Sequence, residues 1–219
     1  MAVEMDTEDL MEVQVAPTPV EAKVLVGERL TFNLDQIDKV HADAVVCPQN
    51  GTFSGDGSVE KGLLRDAYGN EPFNEAEKLA EDTIHEMNKT GERKSKLPMG
   101  FARYAEVPKN NQGVKEIVSV NFESVDEGGP EAAIAAGVTS ALREASLYPE
   151  KGIKSVAIPL PGGLPIQDSV KAVYAGMQDH FESTPGSTIE RVVLVVNGDD
   201  NESNRQQLQS ILSSVTSSN

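Results

Sequence analysis

The sequence predicts a three-layer α/β/α sandwich built on a mixed, mostly parallel central sheet. Three observations lead there. Strand-like and helix-like segments alternate along most of the 219 residues, the arrangement that builds sheets covered by helices. Several strand-like runs, VVLVV among them, are almost unbroken β-branched and aliphatic, as strands buried on both faces require. The length suits one such domain with a single core and short arms.

The elements follow in order. Residues 1–21 hold Glu4, Asp6, Glu8, Asp9, Glu12 and Glu21 with no Lys or Arg, and Pro17 and Pro19 near their end. They read as an acidic flexible arm. The domain is expected over 22–212, and SSVTSSN (213–219) reads as a flexible tail. AKVLVGERLTFNL (22–34) is expected to form two strands. DAVVCP (43–48), FARYAEVP (101–108), KEIVSVNF (115–122), KSVAIPL (154–160) and RVVLVVNG (191–198) are expected to form one each. SVEKGLLRDAY reads as a helix closed by Gly69, and NEAEKLAEDTIHEMNKTG as one closed by Gly91. PEAAIAAGVTSALREASLY starts at Pro130 and aligns Ile134, Val138, Leu142 and Ala145 on one face. QDSVKAVYAGMQDHFES aligns Val170, Val173, Met177 and Phe181, and SNRQQLQSILSSV offers Leu208, Ile211, Leu212 and Val215.

Composition narrows the function. Cys47 is the single cysteine, so no intrachain disulfide and no zinc cluster is spelled, and an intracellular, cytoplasmic setting is expected. Lys and Arg number 19 against 35 Asp and Glu, a net charge of −16. That balance repels phosphate backbones and argues against nucleic acid as a partner. A small anion remains open, because backbone N–H groups hold it without net positive charge. No apolar run is long enough for a bilayer, and the first residues lack the basic and apolar regions of a secretory signal. No cofactor is implied. His41, His85 and His180 read as surface residues and not as a metal set.

The stretch QNGTFSGDGSVEKG (49–62) carries four glycines between a strand and a helix. Ligands in open α/β sheets bind beyond the carboxyl ends of strands, where loops enter helices. Glycine there permits positive φ and close backbone approach to a phosphate, and the helix N-terminus adds partial positive charge. A second loop, PGGLPIQDS, follows KSVAIPL and again enters a helix. Each loop read alone is a tight turn; as a pair they could clasp a diphosphate. Neither has the P-loop ending G-K-[ST], and GDGSVEKG lacks G-x-G-x-x-G.

VVCPQNGTFSGDGSVE resembles the macrodomain signature, a strand V-N-A-A-N followed by G-G-G-G-V-[DE]. Four further stretches resemble the family in order: NLDQI its G-D-I segment after the early hairpin, LPMGFARYAEVP its P-x-G-x-A segment, KEIVSVNF its I-I-H-A-V strand, and KSVAIPLPGG its S-I-A-F-P-A-I-S-T-G segment. The resemblance covers about residues 22–212. It implies binding of ADP-ribose or a related adenine nucleotide. Two alternatives follow from it: hydrolysis of ADP-ribosyl bonds, with an ADP-ribosylated protein as partner, or a macrodomain that serves only as structure or interaction surface.

Carried over by motif position, the resemblance implies that Asp35 holds the adenine amino group and that Asn50 lies near the distal ribose. Gly55, Asp56, Gly57, Ser58 and Val59 would wrap the distal ribose and diphosphate, with Gly162, Gly163 and Leu164 opposite. Glu60 would position water in a hydrolase, together with Asn50, and Asn197 would border the adenine end. Cys47 replaces the family's first asparagine, Asp56 puts a negative charge in the glycine run, and the second loop lacks S-T-G-x-Y-G. Plainer readings stand beside these roles. Asn50 and Asn197 could close turns, Asp35 could cap one, and Glu60 could serve the helix macrodipole. Cys47 reads as a small buried strand residue; Lys61 and Arg65 could help hold phosphate, and their plainer reading is as solvated helix positions.

Overall fold

The alternation of apolar runs and amphipathic segments resolves, in a computed structural model, into strands and helices that take turns along the chain. The structure describes residues 26–54, 58–89, 95–123, 128–198 and 201–217. The strands are β1 (Leu30–Leu34), β2 (Ala44–Gln49), β3 (Ala102–Glu106), β4 (Glu116–Asn121), β5 (Ser155–Pro159) and β6 (Arg191–Val196). The helices are α1 (Val59–Tyr68), α2 (Glu71–Lys89), α3 (Gly129–Ser146), α4 (Ile166–Ser183) and α5 (Glu202–Ser217). The strands form one sheet in the order β1-β6-β5-β2-β4-β3. All pairs are parallel except β3 with β4. The expected mixed, mostly parallel three-layer sandwich is what forms.

Alternate side chains of the central strands feed two cores, as the pleat dictates. Val46, Val118, Val120, Val156, Ile158, Val192 and Leu194 pack with Ile134, Val138 and Leu142 of α3 and Val170, Val173 and Met177 of α4. Val45, Cys47, Ile117, Ala157 and Val193 point the other way, to Leu64 and Tyr68 of α1 and Phe73 of α2. Helices α3 and α4 approach closely because Gly176 has no side chain. A Cβ there would lie 2.4 Å from the Ala135 carbonyl oxygen.

Four expectations are corrected. Residues 26–29 are helical, so within the described part of 22–34 one strand forms and not two. Val26, in this short helical stretch, and Leu30, which begins β1, are both buried, at 2% and 7% exposure. The last helix runs to Ser217, past the point where the tail was expected to begin. His180 is fully buried, at 0% exposure, because it follows Val173 and Met177 on the inner face of α4. The acidic arm lies outside the described residues. Helix α2 begins at Glu71, three residues ahead of the expected start, with Pro72 in its first turn, where a missing N–H costs nothing.

The register shows where the sheet opens. β2 pairs with β4 over six positions and β5 with β6 over five. β2 and β5 pair only at Ala44↔Val156 and Val45↔Ala157. Beyond that point the two strands part, and each carries a proline, Pro48 and Pro159, that supplies no ladder N–H. From β2 the chain goes to the β4–β3 side; from β5 it goes to the β6–β1 side. The carboxyl ends of β2 and β5 therefore flank the switch point of the topology, the crevice where open α/β sheets place ligands.

Candidate functional site

Beside the parting of β2 and β5, on its β5 side, lies a crevice built from four elements. Asp35, Gln36 and Ile37 come from the turn after β1, and Val59, Glu60 and Leu63 from the first two turns of α1. Pro159 and Leu160 end β5, and Val195 and Asn197 end β6. The enclosed hollow is about 30 Å³, room for about one water and well below a full ligand pocket. Its walls are mostly apolar, with two carboxylates and two side-chain amides at the edges. Asp35 Oδ1 accepts the Gln36 N–H at 2.7 Å. Among the described residues Oδ2 accepts none.

Of the residues singled out in the sequence, Asp35, Val59, Glu60 and Asn197 meet at this hollow. Ser58 stands beside it as the N-cap of α1, its Oγ accepting the Lys61 N–H at 3.1 Å. Gly162 and Gly163 are exposed on the loop after β5, and Gly163 has φ +91°. Leu164 packs inward against the larger core. Gly55, Asp56 and Gly57 lie outside the described residues. Asn50 does not line the hollow. Its Nδ2 donates to the Ser54 carbonyl at 2.8 Å, and its Oδ1 accepts from the N–H and Oγ1 of Thr52, both at 3.0 Å.

That arrangement shows why one glycine of the loop after β2, Gly51, is needed. The first half of the loop is a closed, clamped turn. The Gly51 N–H donates to Glu123 Oε2 at 3.2 Å, and the Gly51 carbonyl accepts the Leu97 N–H at 2.7 Å. A Cβ on Gly51 would meet Lys96 Cβ at 2.9 Å, so glycine allows the close approach. The Phe53 N–H donates to the Asn50 carbonyl at 3.1 Å. Phe53 is buried at 0% exposure with φ +58°, an unusual conformation for a non-glycine residue. It packs with Ala76, Ala80 and Leu97. Burial of the ring offsets backbone strain of about 1–3 kcal/mol. The Lys96 ammonium, 2.8 Å from Glu123, together with the Gly51 N–H holds the Glu123 carboxyl below its ordinary pKa.

Sequence reasoning misplaced Lys61. Its side chain is fully buried, at 0% exposure, and its Nζ donates to the Phe53 carbonyl at 2.8 Å. The expectation that it is a solvated helix position is overturned. Lys61, Leu64 and Tyr68 share the buried face of α1, at the three- and seven-residue spacings of one helix stripe. Arg65 is half-buried, its guanidinium 5.6 Å from the Phe73 ring centre. Cys47 is buried at 0% exposure, and burial pushes its thiol up to about 12. It is a core residue, not an activated nucleophile. His41 and His85 are exposed. Among the described residues no helix is long and apolar enough to cross a membrane.

No family model matches the chain, and no curated protein matches it. Solved structures do. The chain is similar to the Oceanobacillus iheyensis macrodomain, in a glycine-to-valine mutant with ADPR, at TM-score 0.60 and 17% identity over 84% of this chain and 94% of that one. It is similar to the Trypanosoma brucei macrodomain in complex with ADP-ribose at TM-score 0.58 and 13% identity, over 90% of this chain and 72% of that one. The macro domain of ganglioside induced differentiation associated protein 2 matches at TM-score 0.56 and 16% identity, over 85% of each chain. With the strand order and the crevice described above, these matches establish that the chain has the macrodomain fold.

Proposed function

We propose that the protein binds ADP-ribose or a closely related adenine nucleotide derivative at the parting of β2 and β5. The observation that carries this reading is the convergence of Asp35, the N-terminus of α1, the end of β5 and Asn197 on one crevice. Asp35 has an oxygen free to accept the exocyclic amine of adenine, and Ile37, Leu63 and Val195 offer apolar surface for a base. The N-terminus of α1 favours a diphosphate through its unpaired N–H groups and dipole. Gly162 and Gly163 face no neighbour within 4 Å of a Cβ position, which leaves their loop open to a ligand on the opposite side. Because the enclosed hollow is small, the nucleotide would extend from it along the rim between the two loops. The macrodomains of T. brucei and O. iheyensis, solved with ADP-ribose and ADPR, support the ligand class.

Calorimetric titration with ADP-ribose tests this. One-to-one binding is expected, weakened about tenfold or more in Asp35→Ala, the loss of one hydrogen bond to a charged acceptor. Absence of heat and of any thermal shift in the wild-type protein would overturn it and leave the scaffold role.

Glu60 favours a second reading. It lines the hollow from the first turn of α1, where its carboxylate could orient water for hydrolysis of an ADP-ribosyl bond. The chemistry would rest on Glu60 more than on Asn50, whose amide closes the adjacent turn. Release of ADP-ribose from a modified protein should stop in Glu60→Gln while ADP-ribose binding persists; equal release rates would remove Glu60 from the reaction.

A further inference from the structure

We propose that residues 20–25, the stretch of chain that leads from the acidic arm into the domain, dock in extended form in the groove between α4 and α5. These helices belong to the layer opposite α1, so the proposal stands apart from the ADP-ribose reading.

The sequence makes the groove. Gln167, Lys171, Tyr174 and Gln178 follow one another at helical spacing along one stripe of α4. On the α5 side Ser214 and Val215 line it, within a final run Ser-Ser-Val-Thr-Ser (213–217) whose side chains are too small to fill the space between the helices. A hollow of about 440 Å³ remains, against a share of roughly 30 Å³ for one water. Its floor is apolar, since Tyr174 and Val215 are 1% and 5% exposed and Ala175 adds a methyl group. Gln167 and Gln178 bring amide donors and acceptors suited to an extended backbone. Lys171 meets Asp168 at 3.5 Å in an exposed pair, which contributes little and leaves the ammonium able to take a second carboxylate.

The course of the chain names the occupant. The described residues begin at Val26, which is buried. At Gly27 the backbone runs against the groove: a Cβ there would lie 3.3 Å from Thr216 Cγ2 and 3.9 Å from Tyr174 Oη. The 25 residues that precede Val26 therefore join the domain at the groove. At about 3.3 Å per residue, residues 20–25 reach about 17 Å, more than the roughly 10 Å of helix between Tyr174 and Gln167. Their sequence, VEAKVL, suits the place. In extended form Val20, Ala22 and Val24 face one side and Glu21 and Lys23 the other. The apolar side covers Tyr174, Ala175 and Val215, and Glu21 reaches Lys171 at the rim. Pro17 and Pro19 favour an extended approach.

NMR relaxation on the full-length protein tests this. Backbone order parameters of residues 20–25 should match the domain, at about 0.85, and fall below about 0.6 in the double variant Val20→Asp, Val24→Asp. In that variant the amide signals of Lys171, Ala175, Gln178 and Ser214 should shift, while those of Thr31 and Asn33 on β1 stay still. Ala175→Glu, a change at an exposed helix position, should free residues 20–25 in the same way from the groove side. Low order in the wild type, or order that either variant leaves unchanged, would overturn the proposal. Shifts gathered on β1 would also overturn it, since they mark a strand added at that edge of the sheet. Order that emerges only as protein concentration rises would overturn it too, since a second copy then fills the groove.

Discussion

Acidification should strip the protein of stability through one residue, His180. Its ring is fully buried on α4, with Nε2 2.8 Å from Ser187 Oγ and Nδ1 buried without a partner. Burial, and then the positive charges of Arg143 and Arg29, lower its pKa from 6.5 to about 4. The native state therefore keeps the ring neutral in a range where the unfolded chain protonates it. The stabilisation is complete above about pH 6.5, declines as pH falls, and is exhausted near pH 4, below which both states bind the proton. The separation corresponds to about 3 kcal/mol, a large share of the roughly 5–15 kcal/mol that holds a domain folded. Urea unfolding at several pH values between about 4.5 and 7.5, on wild type and His180→Gln, isolates this contribution from the carboxylates common to both. The wild type should lose about 2–3 kcal/mol more than the variant across that range. Parallel pH dependences, or an NMR titration of native His180 near its ordinary value, would refute the reasoning.

Other consequences are as concrete. Gly176→Ala should destabilise by about 1–3 kcal/mol in urea unfolding, because the added Cβ meets the Ala135 carbonyl at 2.4 Å and Val138 Cβ at 2.8 Å; an unchanged midpoint would mean that the α3–α4 contact is looser than described. Cys47 should resist a thiol reagent at about pH 8 in the native protein and react once unfolded in urea, given its burial and its pKa of about 12; rapid native labelling would contradict its place in the core. Asp43 accepts the N–H groups of Lys154 and Ser155, each at 3.0 Å, and pairs with Lys115 at 2.9 Å. Burial raises the Asp43 pKa, but these partners outweigh burial and hold it below its ordinary value. Asp43→Ala should cost about 2 kcal/mol or more, and a loss within error would show that water replaces the carboxylate.

The apolar runs of β2, β4, β5 and β6 and the stripes of α3 and α4 were legible because burial on two faces or one imposes a pattern on sequence. That a glycine-bearing segment follows each of the core strands β2 and β5 was legible for the same reason. Val26 to Arg29 misled because Val24, Leu25 and Val26 read as an apolar strand run, whereas residues 26–29 form a helical stretch that leads into β1. Lys61 and His180 misled because polar residues count as surface by default. Both stood on apolar stripes, Lys61 with Leu64 and Tyr68, His180 with Val173 and Met177, and helix spacing carried the information that residue type obscured. Glu123 was invisible, because its bond to the Gly51 N–H joins residues 72 positions apart.

The most direct test is a map of backbone amide shifts as ADP-ribose is added to the full chain. The account expects the largest changes at residues 35–37, 58–63, 159–164 and 195–198, the four segments around the parting of β2 and β5. Changes gathered instead in the groove between α4 and α5, at Gln167, Tyr174 and Ser214, or no changes at all, would contradict it.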